Sequence, residues 1–288
     1  MLEQIDLTKV LILDIETVPV KRSYSDLDDK WKDLWERKMK FQINEDTTGE
    51  DLYERAGIYA EFGKIICISV GCIYEENKVK KEKGFEEEEV VVTNKEEIKE
   101  EEKEGEHKKE AEGDAEKGTG KLKLRLKSFY NDDEKILLEE FRKLLDTKYS
   151  ADDRLLCAHN GKEFDFPFIA RRCLINGIEI PKILDTSGKK PWEVKHLDTM
   201  EMWKFGDYKS YTSLILLAAI FGIESPKDDI DGSQVGKIYW EENDLGRIEK
   251  YCKKDVITVA QILLKFKGMD MLMESDIIHA DSKDESET

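Results

Sequence analysis

Apolar runs with strand-like spacing recur along the chain and predict its sheet. Val10 to Thr17 opens with four consecutive apolar residues, which predicts a strand buried in the core. The run KIICISVGCIY, residues 64–74, predicts a second strand, and KLKLRLKSFY, residues 121–130, alternates basic and apolar residues as a half-exposed strand does. RLLCAHN predicts a short buried strand, and HLDTMEMWKF predicts a further strand or extended segment.

Stretches with a 3.6-residue apolar period predict the helices. The last long one is capped near Asn243 or Asp244, Gly222 ends the core helix before it, and Pro167 occupies a first helical position. The order of elements predicts an α/β fold, in which helices flank a mixed five-stranded sheet that begins as a meander. The predicted helical stretches are DLDDKWKDLWERKMKF, EDLYERAGIY, DDEKILLEEFRKLLDTKY, FPFIARRCLINGI, YTSLILLAAIFGI and NDLGRIEKYCKKDVITVAQILLKFKG.

Charge is spread unevenly along the 288 residues. Residues 82–120 hold 16 acids and 7 lysines with few aromatic residues, which predicts a solvated low-complexity insertion at the tip of a hairpin. Residues 274–288 hold 6 acids and 1 lysine and predict a disordered acidic tail, which leaves residues 1–273 as a single domain. About −4 of the net charge of −18 belongs to the rest of the chain. Such a body lacks the basic footprint of a general nucleic-acid binder and suits carboxylates gathered around divalent cations.

The cysteines and the first residues indicate a reducing compartment. Five cysteines are an odd number, and none of them has CxxC spacing, so we expect buried reduced thiols. MLEQIDLTK has acids where a signal peptide would have basic and then apolar residues, and apolar runs stay short of a membrane span. These features predict a cytoplasmic protein.

Asp14 and Glu16 are the first chemical anomaly. Residues i and i+2 of a strand point to one face, so two carboxylates lie side by side at the end of the most buried predicted strand. Two such charges repel and raise each other's pKa, and a divalent cation would relieve both the repulsion and the burial. Acids that cap loops or face solvent at strand ends are the commoner alternative.

Two further acids stand in apolar surroundings. Asp165 lies between Phe164 and Phe166 after the strand-ending HNG, where it either favours a helix N-terminus or joins a site at the sheet's carboxyl edge. Asp255 interrupts the apolar stripe of the last helix one turn after Tyr251, where it either accepts a hydrogen bond from that tyrosine or serves a site.

The three motifs together resemble those of a known family. Asp-x-Glu, then Asn-x-x-x-Phe-Asp, then Tyr-x-x-x-Asp are similar to the motifs of DEDD exonucleases of the ribonuclease H-like fold. Lys250 stands where the histidine branch carries His, so the chain resembles the tyrosine branch. It is most similar to bacterial predicted 3′–5′ exonucleases related to the exonuclease domain of B-family DNA polymerases. The resemblance rests on ILDIETVP, AGIYAEFGKIICISVG, HNGKEFDFPFIARR, GKKPWEVKHLDTMEMWKFGDYKSYTSL, DIDGSQVGKIYW and RIEKYCKKDV.

The resemblance implies a metal-dependent 3′–5′ exonuclease that uses two Mg²⁺ or Mn²⁺ ions on single-stranded nucleic acid, with DNA favoured. By similarity, Asp14 would bridge both ions, and Glu16 and Asp255 would complete the ion site that activates water. Asp165 would hold the second ion, and Tyr251 would orient the attacking water.

Substrate contacts must come from local groups because the body is not basic. The main candidates are Asn160, Lys162, Phe164, Tyr208 and Tyr211, since an aromatic ring can stack on a base. Further candidates lie on the same loops and helix: Arg171, Arg172, Lys189, Lys190, Trp192 and Lys209.

Three alternatives stay open at this point. An exoribonuclease on the same fold would differ in how its pocket treats the 2′-hydroxyl group. A non-catalytic binding module would keep the fold without the chemistry. A third interpretation makes the acidic insertion a docking segment for a repair or polymerase partner.

Overall fold

The structure is a computed structural model that describes residues 4–76, 120–207, 209, 211–224 and 230–280. The chain divides into a large unit, Met1–Tyr74 with Leu122–Thr288, and a small unit, Glu75–Lys121. Most of the small unit, and with it the predicted insertion 82–120 apart from Gly120, lies outside the described residues. The fold and the candidate site below belong to the large unit.

The first half of the large unit mixes strands with helices, and its last part is mostly helical. Short 3-10 turns join several of them, including Tyr53–Ile58, which the sequence predicts as a second short helix. A π-helical turn, Ile238–Glu242, follows α6 directly. The elements are β1 (Val10–Pro19), α1 (Asp29–Met39), β2 (Gly63–Glu76), β3 (Lys121–Tyr130), α2 (Glu134–Lys148), β4 (Leu155–Ala158), α3 (Asp165–Ile175), β5 (Leu197–Asp198), α4 (Thr199–Lys204), α5 (Leu214–Ile220), α6 (Val235–Lys237), α7 (Leu245–Phe266) and β6 (Ile277–His279).

The strands form one mixed sheet in the order β5-β4-β1-β2-β3-β6. β1 pairs antiparallel with β2 and parallel with β4, while β4–β5 and β3–β6 are parallel pairs. The α/β prediction with a mixed sheet is confirmed, but the sheet has six described strands rather than five. The sixth strand lies in the predicted tail, because Ile277–His279 pairs with β3. The prediction that the chain is disordered from residue 274 is therefore wrong for this stretch. Ile277 packs against the apolar core on the α7 side of the sheet, a contact that the net charge of the tail conceals. Residues 281–288 lie outside the described part.

Helices cover both faces of the sheet, and β1 contributes to both cores. Leu11 and Leu13 pack with the apolar residues of α2 and α3. Val10 and Ile12 point the other way, into a core formed with the C-terminal half of α7. Because side chains alternate along a strand, the α7 side of β1 continues past Ile12 to Asp14 and Glu16. This alternation determines where the two carboxylates lie.

Three local predictions need correction. HLDTMEMWKF forms only the two-residue strand β5 before turning into α4, because Asp198 caps that helix through the backbone amides of Met200 and Glu201. α5 is not a core helix, since Leu217 and Ala218 are buried but Ile215, Leu216 and Ile220 are more than half exposed. α3 begins at Asp165, two residues before Pro167, so the proline is not at its first position.

Arg172, which the sequence suggested as a substrate contact, lies in a buried ion pair. The residue is 6% exposed, and its guanidinium forms a bidentate ion pair with the equally buried Glu134. Nη1 of the same group donates to the carbonyl of Ala60 at 2.8 Å, and the Ile65 amide donates to Glu134 at 2.7 Å. Each charge is therefore paired and hydrogen-bonded, as burial requires, and the pair ties α2 and α3 to the start of β2.

Among the helices of the described residues, none combines the length and the apolar character that a membrane span requires.

Candidate active site

The carboxyl-terminal half of β1 presents Asp14 and Glu16 toward α7. Asp14 is half-buried and Glu16 is 8% exposed. Asp14 pairs with Ser69 and Glu16 with Cys67 on β2, but the register then shifts between Glu16 and Thr17. Such irregularities bend a strand and redirect its side chains, and they are common beside active sites. The irregularity thus lies directly after the two acids, and β1 then pairs with β2 in the shifted register from Thr17 to Pro19.

Asp165 reaches the same region from the first turn of α3. It is 3% exposed, and the backbone amide of Ile15 on β1 hydrogen-bonds to its carboxylate. β4 pairs with β1 only at Val10, Leu11 and Ile12, so the strand edge beyond is open to other partners. The side chain of Asp165 therefore lies against β1 between the positions of Asp14 and Glu16.

Asp198 is a functional candidate that the sequence analysis missed. It is 2% exposed, and its carboxylate accepts hydrogen bonds from the amides of Asn160 at 3.0 Å and Lys162 at 3.1 Å as well as from the first turn of α4. These bonds fix the loop that connects β4 to Asp165. The signal was present as an N-cap Asp before the Thr-Met-Glu start of a helix, but the strand interpretation of that segment concealed it.

Tyr251 and Asp255 lie one turn apart on α7, a spacing that puts both on one face. The carboxylates of Asp255, Glu16 and Asp14 all raise the pKa of the Tyr251 phenol, after the larger effect of burial, so the hydroxyl faces the acids. The Tyr251 hydroxyl also lies 3.9 Å from where a Cβ on Gly232 would stand. The loop before α6 therefore forms a wall beside this tyrosine.

Burial and mutual repulsion dominate the electrostatics of the cluster. Burial raises the pKa of Asp14 well above its usual range, and the charges of Asp255, Glu16 and Asp165 raise it further. Glu16 is affected in the same direction by burial, Asp255, Cys67 and Asp165. Burial raises the pKa of Asp165 to about 7, against the lowering effect of its backbone hydrogen bonds. The structure thus brings the four predicted acids together, because each acts on the ionisation of others from three separate elements.

Residues 115–286 match the model of a family described as "Predicted 3'-5' exonuclease related to the exonuclease domain of PolB". The match covers more than half of the chain. The chain belongs to this family. The matched range contains Asp165, Tyr251 and Asp255 but begins after β1. Asp14 and Glu16 therefore lie outside the match, and the fold brings β1 beside the matched region. The six-stranded mixed sheet with flanking helices is consistent with the ribonuclease H-like fold expected of such exonucleases.

The donor set suits the divalent cations that this exonuclease family generally uses. Carboxylate oxygens are the ligands preferred by Mg²⁺ and Mn²⁺. Ligand atoms of Asp14 and Glu16, together with the thiol of Cys252, lie within 4.8 Å of one another. Burial and mutual repulsion disfavour the ionised form of these acids, and a cation bound among them would stabilise that form.

The candidate substrate residues of this exonuclease fall into distinct environments. Asn160 has the left-handed φ of 65°, and within the described residues its buried side-chain oxygen has no hydrogen-bond partner. Lys162 pairs with Glu201 at 2.6 Å, and Phe164 packs at the edge of the core beside Phe168. Tyr211 is 70% exposed.

Tyr208 lies outside the described residues. Among the further candidates, Trp192 is 77% exposed, and the Lys190 ammonium lies 5.3 Å from the centre of its ring. Asn160 lies in the loop that leads to Asp165, and its unsatisfied oxygen makes it the candidate best prepared to accept a hydrogen bond from a ligand.

Proposed function

We propose that the chain is a metal-dependent 3′–5′ exonuclease that removes nucleotides from single-stranded nucleic acid, DNA in preference to RNA. The single observation that carries this proposal is that Asp14 and Glu16 offer ligand atoms within 4.8 Å of each other, while the charges of Asp255 and Asp165, from two other elements, raise the pKa of both. Four crowded carboxylates destabilise a fold unless cations bind them, and the family match supplies the reaction class.

Two divalent cations fit the number of carboxylates in the cluster. When bound, Mg²⁺ or Mn²⁺ would neutralise the carboxylates and supply Lewis-acid stabilisation to the phosphodiester. In this proposal Asp14 would contribute to holding both ions. Glu16 and Asp255 would complete the ligands of the ion that activates water, and Asp165 would contribute to holding the second ion. The assignment follows the tyrosine branch of DEDD exonucleases.

The remaining residues hold the reactants. The Tyr251 hydroxyl is expected to stay protonated at neutral pH, because burial and the neighbouring carboxylates raise its pKa, so it can donate a hydrogen bond. We assign it the orientation of the attacking water, with the hydroxyl proton retained. Asn160 supplies an acceptor oxygen to the terminal nucleotide, and the exposed ring of Tyr211 supplies a stacking surface for an unpaired base. Phe164, Lys162 and Tyr208 complete the proposed substrate contacts.

The proposal is tested by incubating the protein with single strands labelled at either end, with and without EDTA. We expect stepwise shortening from the 3′ end that stops completely when the cations are chelated and resumes with added Mg²⁺ or Mn²⁺. A matched RNA strand in competition measures the sugar preference. Shortening that continues in EDTA, or shortening from the 5′ end, would contradict the proposed chemistry. Cytoplasmic location and a protein partner for the insertion remain predictions from the sequence.

Tyr251→Phe should slow hydrolysis roughly tenfold to a hundredfold, because the phenyl ring keeps the packing but cannot orient the water. The loss should fall on kcat, with KM nearly constant, since the hydroxyl acts on the water rather than on the nucleotide. Tyr130→Phe is the matched control, because Tyr130 is exposed on β3. Single-turnover rates of the two variants decide the point, and equal rates would make the Tyr251 hydroxyl a purely structural group.

A further inference from the structure

A thiol lies among the acids of the candidate active site. Sγ of Cys252, on α7 next to Tyr251, is 3.3 Å from Oδ2 of Asp14 and 3.4 Å from the backbone carbonyl oxygen of the same residue. Cys252 is fully buried, and its thiol hydrogen-bonds with that of Cys67 on β2. The side chain is thus held in one position, with its sulfur directed at the carboxylate.

The spacing of these atoms fits a coordination shell. Asp14, Glu16 and Cys252 each offer one ligand atom, and the three atoms lie within 4.8 Å of one another. In a tetrahedral zinc site, with Zn–S of about 2.3 Å and Zn–O of about 2.1 Å, adjacent sulfur and oxygen ligands are about 3.6 Å apart. The Sγ–Oδ2 separation of 3.3 Å needs only a small adjustment to admit an ion. Of the three ligand residues, Asp14 is the one that is only half-buried, while Glu16 and Cys252 are buried.

The mixed donor set discriminates between cations. Mg²⁺ and Mn²⁺ favour oxygen ligands, whereas Zn²⁺ and Cd²⁺ bind thiolate strongly. We propose that Asp14, Glu16 and Cys252 form a thiolate site for Zn²⁺, which binds in competition with the activating cation and inhibits the enzyme. On binding, the S–H bond of Cys252 breaks, a Zn–S bond forms, and the proton passes to solvent. The inhibitory consequence rests on the proposed nuclease function, but the zinc site itself does not.

Metal binding is measured first without any substrate. Protein freed of metal is titrated with Cd²⁺, and thiolate ligation is followed by its ultraviolet charge-transfer absorption. We expect a saturable band in the wild-type chain that Zn²⁺ displaces stoichiometrically and that excess Mg²⁺ removes only weakly. Cys252→Ser should lose the band and bind Zn²⁺ at least tenfold more weakly, while Cys173→Ser, which alters a buried thiol on α3, should behave as wild type.

Two further variants keep the test decisive. Asp14→Asn retains the thiol but lacks the neighbouring carboxylate, so its band should weaken and its zinc affinity should fall. Should Cys252→Ser fail to fold by circular dichroism, Cys252→Ala provides the same comparison, because it also lacks the sulfur and is close to it in volume. A wild-type chain without a band, or zinc affinity that is unchanged within twofold by loss of Cys252, would overturn the zinc site.

Inhibition is then measured against each variant's own zinc-free rate in Mg²⁺. The zinc concentration that halves the rate should rise at least tenfold in Cys252→Ser and stay constant in Cys173→Ser. If the chain gives the thiolate band but does not degrade strands, the zinc site is supported and the proposed function is wrong. A chain that degrades strands but gives no band rejects the zinc site alone.

Discussion

Asp14→Asn is expected to lower the rate of strand hydrolysis by about a thousandfold, the scale of losing a principal electrostatic group from an active site. The amide keeps the size and shape of the carboxylate, so packing against α7 persists. It removes the charge that the proposed function places between the two ion positions. Asp255→Asn should give a loss of similar size, because its carboxylate is the neighbouring charge with the largest effect on Asp14 and on Glu16.

The measurement is a single-turnover rate in saturating Mg²⁺, with thermal unfolding recorded on the same samples. Asp270→Asn is the matched control, because it neutralises an exposed carboxylate just beyond the end of α7. We expect it to hydrolyse at the wild-type rate. If Asp14→Asn remained folded and kept a rate within a few fold of wild type, Asp14 would have no part in the chemistry, and the proposed mechanism would fail.

The metal-free protein is expected to lose stability as the pH rises from 5 to 8, by an amount of order 2–4 kcal/mol for Asp165 alone. Burial raises the pKa of this carboxyl to about 7 in the folded chain, against the value of 3.8 for an unperturbed Asp. Between these two values the unfolded chain releases the proton that the folded chain retains. Raising the pH within that window therefore lowers the free energy of unfolding. The raised pKa values of Asp14 and Glu16 act in the same direction.

Denaturant titrations in EDTA at both pH values measure this loss for the wild type and for Asp165→Asn. The amide cannot ionise, so the variant should show the smaller loss, with the two chains nearly equal in stability at the lower pH. Added Mg²⁺ should restore the wild-type stability at pH 8, because cation binding to the folded state compensates the crowded charges. Parallel losses in the two chains would mean that Asp165 ionises normally, and the description of a buried, strained acidic cluster would be wrong.

Local sequence patterns predicted much of the fold. The apolar run of β1, the alternation of β3 and the helical period of α2 and α7 each depend on contacts within a few residues, and each element is present with nearly the expected bounds. Asp244 caps α7 as predicted. The failures arose where local preference was weak. The acidic composition of the tail concealed β6, whose pairing depends on the edge that β3 offers and on the packing of Ile277 against the core.

The sequence by itself determined which residues are proposed for the chemistry of the candidate site: Asp-x-Glu on one strand face, Asp165 at a helix start, and Tyr251 with Asp255 on one helix face. Only the tertiary structure decided that Cys252 faces Asp14, that Asp198 fixes the loop before Asp165, and that Arg172 is committed to Glu134. These relations join residues far apart in the chain. They follow from the register and packing of whole elements, which no local periodicity encodes, because many packings are compatible with the same apolar stripe.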